Sequence, residues 1–120
     1  MLQRGIILLA HGSRDPLWRL PIENVAQLIS QRDPQLVVGC AYLELTEPGL
    51  EGAVAVMVSQ GLQSVTIVPM FLGLGKHARD DLPVLLQVLQ QKHPELEFIL
   101  QAAIGENPNV LAVIAEIAAK

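Results

Sequence analysis

The chain has 120 residues and a mass of 13.0 kDa, which fits one domain over residues 1–120; two would each be very small. Eight Lys+Arg against twelve Asp+Glu give a formal charge of −4, and the four aromatic residues (Trp18, Tyr42, Phe71, Phe98) are scattered, which excludes a basic stripe or stacking platform for nucleic acid. The single cysteine, Cys40, excludes an internal disulfide or a multi-thiolate metal site and points to a reducing, cytoplasmic setting.

Gly5 to Ala10 is a continuous apolar run, as expected for a strand covered on both faces. Asp15-Pro16 predicts an N-cap with proline at the first helical position. Leu17, Leu20, Val25, Leu28 and Ile29 carry that helix to Arg32, and Asp33-Pro34 ends it. Leu36 to Leu43 is a second strand. Pro48, Leu50, Ala53, Val54, Met57 and Val58 mark a second helix, closed by Gly61. Val65 to Phe71 is a third strand. Residues 72–79 form a glycine-bearing loop, and Asp80, Asp81 and Pro83 start a third helix that runs to His93-Pro94. Leu96 to Leu100 is a fourth strand. Asn107-Pro108 repeats the cap-and-proline device ahead of a last helix through Val110, Leu111, Val113, Ile114 and Ile117.

Strands alternating with helices imply parallel pairing through right-handed crossovers. The fold class is therefore α/β: a small doubly wound, four-stranded parallel sheet, order 2-1-3-4, with helices on both faces. The longest charge-free stretch, Gly52 to Gly75, is 24 residues, but its Ser, Gln, Thr, Gly and Pro residues read as helix end, turn and buried strand rather than a membrane span. The apolar run Ile6 to Ala10 is too short for a signal-peptide core. The chain is 51% apolar with a mean hydropathy of +0.40, more than one small core uses, which points to a subunit interface.

In such a sheet, ligands bind beyond the carboxyl ends of the strands where the strand order reverses. His11 follows the first strand, Glu44 the second and His77 the third, at successive intervals of 33 residues. Each has an ordinary structural use: a capping histidine, a solvated strand end, a loop histidine. Together, two imidazoles and a carboxylate suit a first-row divalent ion with open positions, and proton transfer near neutral pH. Gly12-Ser13 and Gly73/Gly75 let backbone approach a ligand closely. Arg14, Lys76 and Arg79 lie beside the histidines and suit a polyanionic substrate, or are solvated surface charges. His93, Cys40, Tyr42 and Trp18 read as structural residues.

Leu8-Leu-Ala-His-Gly-Ser-Arg-Asp-Pro16, Ala41-Tyr-Leu-Glu-Leu-Thr-Glu-Pro48 and the segment Pro69 to Pro83, with Gly73, Gly75 and His77, resemble the signature segments of the class II tetrapyrrole chelatases, in particular the short sirohydrochlorin cobaltochelatase (small CbiX) type. The resemblance covers nearly the whole chain and implies a flavodoxin-like chelatase half-domain. It further implies ATP-independent insertion of a divalent metal into sirohydrochlorin: Co2+ foremost, with Ni2+ or Fe2+ as alternatives. It maps His11 and His77 onto metal-binding and catalytic histidines and Glu44 onto the accompanying acid, with Glu47 as fallback. It makes Ser13, Arg14, Gly73, Gly75, Lys76 and Arg79 candidates for holding the substrate and its peripheral carboxylates. The partners implied are sirohydrochlorin and the metal ion, with no cofactor beyond that metal. Longer members carry two copies of the domain, so a single copy is expected to form a homodimer.

A non-catalytic module that binds and delivers divalent metal fits the same three residues. Phosphoryl transfer through His11 is disfavoured by the absence of GxxxxGK[ST] and GxGxxG, and a Ser13 hydrolase by the absence of GxSxG.

Overall fold

Valine- and isoleucine-rich runs of four to seven residues bury themselves only by pairing, and here four of them form one parallel sheet. The computed structural model describes residues 3–120, so the first two residues of the expected domain lie outside it. The strands are β1 (Arg4–Ala10), β2 (Val37–Tyr42), β3 (Ser64–Pro69) and β4 (Glu97–Leu100), in the expected order β2-β1-β3-β4 with every neighbouring pair parallel. The helices are α1 (Leu20–Arg32), α2 (Leu50–Ser59), α3 (Lys76–Lys92) and α4 (Pro108–Ala118).

The two faces of the sheet differ. Ile7, Leu9, Ala41, Val65 and Ile67 meet Leu50, Ala53, Val54 and Met57 of α2 and Leu82 and Leu89 of α3 in one buried cluster. Each fully buried Ile, Leu or Val there contributes roughly 1.5–3 kcal/mol relative to exposure. The opposite face carries Leu8, Tyr42, Thr66 and Val68, with α1 lying along β2 and β1. Trp18 and Tyr42 pack with ring centroids 6.1 Å apart, a structural use as expected.

The register sets the site edge. Ala10 pairs with Tyr42 and Leu9 with Pro69, so β1, β2 and β3 end nearly level and their following loops emerge together. The Gly52 to Gly75 stretch folds as most of α2, a turn, β3 and the loop after it. Among the described residues, no helix is long and apolar enough to cross a membrane.

Two helix starts differ from expectation. Asp15-Pro16 does not open α1. Asp15 Oδ1 instead accepts from the Leu17 N–H (2.9 Å) and its carbonyl from the Trp18 N–H (3.1 Å), closing a separate turn. A helix running on from Pro16 would hold Pro21 in its interior, at a cost of about 3 kcal/mol. Breaking before Leu20 puts Pro21 in the first turn, where its missing N–H does no harm. The reverse error concerns α3, which starts at Lys76 rather than at Asp80–Pro83. Lys76, His77 and Arg79 are therefore first-turn helix residues, not loop residues. Pro83 sits inside the helix and returns no N–H to the Arg79 carbonyl. Leu82 and Leu89 anchor the helix in the core on both sides of it, so packing overrides the local penalty.

A smaller shift affects β3, which ends at Pro69 and leaves Phe71 outside the ladder, while α2 begins at Leu50 with Pro48 near its start as read. The Asn107 cap is as read: its Oδ1 accepts from the Asn109 N–H (2.8 Å), with Pro108 in the first turn. An unanticipated 3-10 turn, Ile104–Glu106, precedes it.

Candidate active site

Where a parallel strand ends, the chain must turn out of the sheet, and the first side chains past the turn face the cleft. His11 and Glu44 occupy those positions after β1 and β2. The Glu44 N–H donates to the His11 carbonyl (3.0 Å), extending the β1–β2 ladder beyond the strands. Their side chains meet as well: His11 Nε2 lies 2.9 Å from Glu44 Oε1. Nε2–H donating to the carboxylate leaves Nδ1 of the neutral ring with a lone pair, the atom able to accept a proton or take a metal. Both side chains are more than half exposed, so the pair is worth little to stability and is free to open.

Gly12 makes this approach possible. Its φ is +110°, and a Cβ there would lie 1.8 Å from the Glu44 carbonyl oxygen. The expectation that Gly12 clears space for a ligand is thus corrected: it clears space for the neighbouring loop. The two loops are also stitched by a hydroxyl. Thr46 Oγ1 accepts from the Ser13 N–H (3.1 Å) and donates to the Ser13 carbonyl (2.7 Å). Ser13 Oγ itself accepts from the Asp15 N–H (3.1 Å), closing the turn ahead of α1.

His77 comes from the third direction, on the first turn of α3. It lines the same cavity as His11 and Glu44, a cleft of about 890 Å³. Gly73, Gly75 and Lys76 lie on that cavity too, and Cβ atoms built on Gly73 and Gly75 meet nothing within 4 Å. These two glycines leave open space on the cavity side. The walls are mainly apolar, with Leu43, Phe71, Leu74, Leu85 and Val88, and the volume falls in the range of small-molecule sites. Lys76 Nζ lies 3.5 Å from Asp80 Oδ2 in an exposed i,i+4 pair, a contact weak enough to exchange for a substrate carboxylate.

The cavity does not gather every expected residue. Ser13, Arg14 and Arg79 do not line it. Glu47 faces a separate cavity of about 470 Å³ with Arg19, Glu23, Cys40 and Tyr42, so of the two candidate glutamates the cleft holds Glu44. Burial, with the nearby Glu23 carboxylate, pushes the Cys40 thiol above its ordinary range, in keeping with a packing role. Among the described residues, no three His, Cys, Asp or Glu side chains stand together as a ready-made metal cage.

Three contributors escaped sequence reasoning. Asp81 lies one helical turn beyond His77 and lines the cavity; its i,i+4 spacing was visible, but it was read as a helix start. Thr46 shows no sequence signal, because its partner is 33 residues away. Gly105 has its N–H bonded to the Phe71 carbonyl (2.9 Å), and a Cβ there would lie 1.9 Å from the Leu72 oxygen, so it seats the loop that carries Gly73. A lone glycine ahead of the Asn107 cap was the available hint.

Comparison with known proteins gives a consistent result. The CbiX family model matches residues 5–120. A sirohydrochlorin cobaltochelatase of Methanosarcina acetivorans is 33% identical over 84 residues, covering 70% of this chain and 65% of the relative. A chloroplastic sirohydrochlorin ferrochelatase of Arabidopsis thaliana is 29% identical over 110 residues, covering 92% of this chain and 49% of the relative. The chain thus spans about half to two thirds of the length of these curated relatives. The crystal structure of a CbiX protein from Marinobacter aquaeolei VT8 superposes with a TM-score of 0.83 at 35% identity, covering 96% of this chain and 93% of that one.

Proposed function

The chain belongs to the CbiX family, and from that membership and the geometry of the cleft we propose that it is a chelatase that inserts a divalent metal ion, Co2+ foremost, into sirohydrochlorin without ATP. The observation that carries the reading is the meeting of the His11–Glu44 pair with His77 on one glycine-floored, apolar cleft. An apolar wall suits the face of a macrocycle. Lys76 on its rim, with Arg14 and Arg79 further out, suits the ring's peripheral carboxylates.

Metallation needs two things from a protein: stepwise removal of water from the ion and acceptance of two pyrrolic protons. The imidazoles of His11 and His77 serve both, as ligands while the ion sheds water and as bases once it passes to the ring. Glu44 orients His11 through the 2.9 Å contact and offsets the charge of the arriving dication. The metal is substrate, and a two-histidine site without a closed cage suits release to the ring.

In this reading residues 1–120 act as one chelatase-like domain, a cytoplasmic lyase working as a homodimer. The test is turnover. With sirohydrochlorin and limiting Co2+, the absorbance change should run well ahead of a protein-free control and continue past one equivalent, with Ni2+ and Fe2+ compared anaerobically. Stoichiometric metal binding without acceleration would instead establish a carrier.

A further inference from the structure

The cleft holds one charged side chain that neither the His11–Glu44 pair nor Lys76 engages. Along α3 the cavity is lined by His77, Asp81, Val84, Leu85 and Val88, a spacing that places them in one stripe on one face of the helix. Beyond His77, Asp81 is the single charge in an apolar stripe. A helix-terminus role does not account for it. Asp81 is the sixth residue of α3, past the first turn in which an acidic side chain gains from the helix dipole. Among the described residues no ion pair engages it, whereas its neighbour Asp80 is taken up by Lys76 at 3.5 Å.

Asp81 is exposed in the open cleft, but an apolar ring face laid on this stripe strips its water away. A carboxylate that loses water without a cationic partner is costly to cover. Lys76 and Arg79 stand roughly 140–160° round the helix from Asp81, and Arg79 does not line the cavity. His77 is one turn away, about 40° round and 6 Å along the axis, on the same wall and likewise outside any ion pair among the described residues. The opposite wall shows the same two chemistries already joined, with His11 Nε2 at 2.9 Å from Glu44 Oε1. The α3 wall carries an imidazole and a carboxylate in open form.

We propose that Asp81 is the second carboxylate of the metal-insertion site, a positioning residue that orients His77 and offsets the charge of the incoming divalent ion, as Glu44 does for His11. Each wall then presents one imidazole and one carboxylate, and the two negative charges match the two positive charges of the ion. Asp81 acts through its charge and through the orientation of the neighbouring imidazole. An apolar residue in its place would suit the ring face better, but it would leave His77 loosely held and half the charge of the ion uncompensated. The proposal rests on the chelatase reading above.

The test separates handling of the ion from binding of the ring. Asp81→Asn removes the charge and keeps the shape; Asp81→Glu keeps the charge. Co2+ is titrated into the ring-free protein and followed by its visible absorption, and initial rates of Co2+ insertion are measured beside it. Asp81→Asn should weaken Co2+ binding and lower kcat, each by about tenfold or more. Asp81→Glu should recover most of both. Metal-free sirohydrochlorin should bind Asp81→Asn at least as tightly as the unmodified chain, because no charge is then stripped of water. The melting temperature should not change, since the side chain is exposed. Unaltered Co2+ binding and kcat in Asp81→Asn would make Asp81 a solvated surface charge. Parallel losses of ring binding and melting temperature would make it a structural helix residue. Either result overturns the proposal. A chain whose Co2+ binding depends on Asp81 but which never turns over would contradict the chelatase reading and leave Asp81 as part of the ion site.

Discussion

Two glycine-bearing loops border the cleft, and they use glycine for opposite purposes. In the loop after β1, Gly12 is packed against the Glu44 backbone with a positive φ and no space for a Cβ. In the loop after β3, Gly73 and Gly75 face open volume on the cavity wall. The first glycine lets two strand ends touch; the second pair leaves the cavity side open. The same residue type at the same kind of fold position is therefore packed shut in one loop and open to the cavity in the other, and only the neighbours decide which.

Substitutions should separate the two meanings. Gly12→Ala is expected to have the largest effect, destabilising the chain by about 3 kcal/mol or more through the clash and the strained φ. It should also abolish metallation by displacing Glu44, and urea denaturation beside a rate assay reads both. Thr46→Val comes next. It removes the hydroxyl that ties the Ser13 and Thr46 backbones and should cost about 1–2 kcal/mol, with a partial loss of rate. Gly73→Ala should leave stability within about 0.5 kcal/mol of the original while raising KM for the ring, because its methyl enters the open side. Equal destabilisation by Gly12→Ala and Gly73→Ala would dissolve the distinction. The smallest effect is expected far from both loops. Lys92 holds the Glu51 carboxyl below its ordinary range. The pair's small contribution is therefore present above the carboxylate range and fades as pH falls through it. Lys92→Ala should remove that pH dependence in thermal melts and leave metallation unchanged.

Much of this was legible in the sequence because it is written in local or periodic pattern. Short valine-rich runs alternating with helical periods are enough for a parallel sheet in the order 2-1-3-4, and that order places His11 and Glu44 at strand ends. Pro21 and Pro83 show where local reading stops. One proline starts a helix and the other is carried through one, and the difference lies in whether buried residues such as Leu82 and Leu89 hold both flanks. Contacts across long separations leave no local trace, which is why Thr46 and Gly105 emerged only with the fold. The stripe on α4 was visible as a pattern, but the pattern does not say that Leu111, Val113, Ile114 and Ile117 stay exposed within the chain.

The central claim is that His11 and His77 carry metal and protons to the ring. The most direct measurement is the initial rate of Co2+ insertion into sirohydrochlorin by the His11→Ala/His77→Ala chain beside the unmodified one. Both side chains are exposed, so the variant should fold and melt like the original. The account predicts a fall of at least about a hundredfold, the lower end for losing positioned acid–base groups. An unaltered rate in a correctly folded double variant would contradict it.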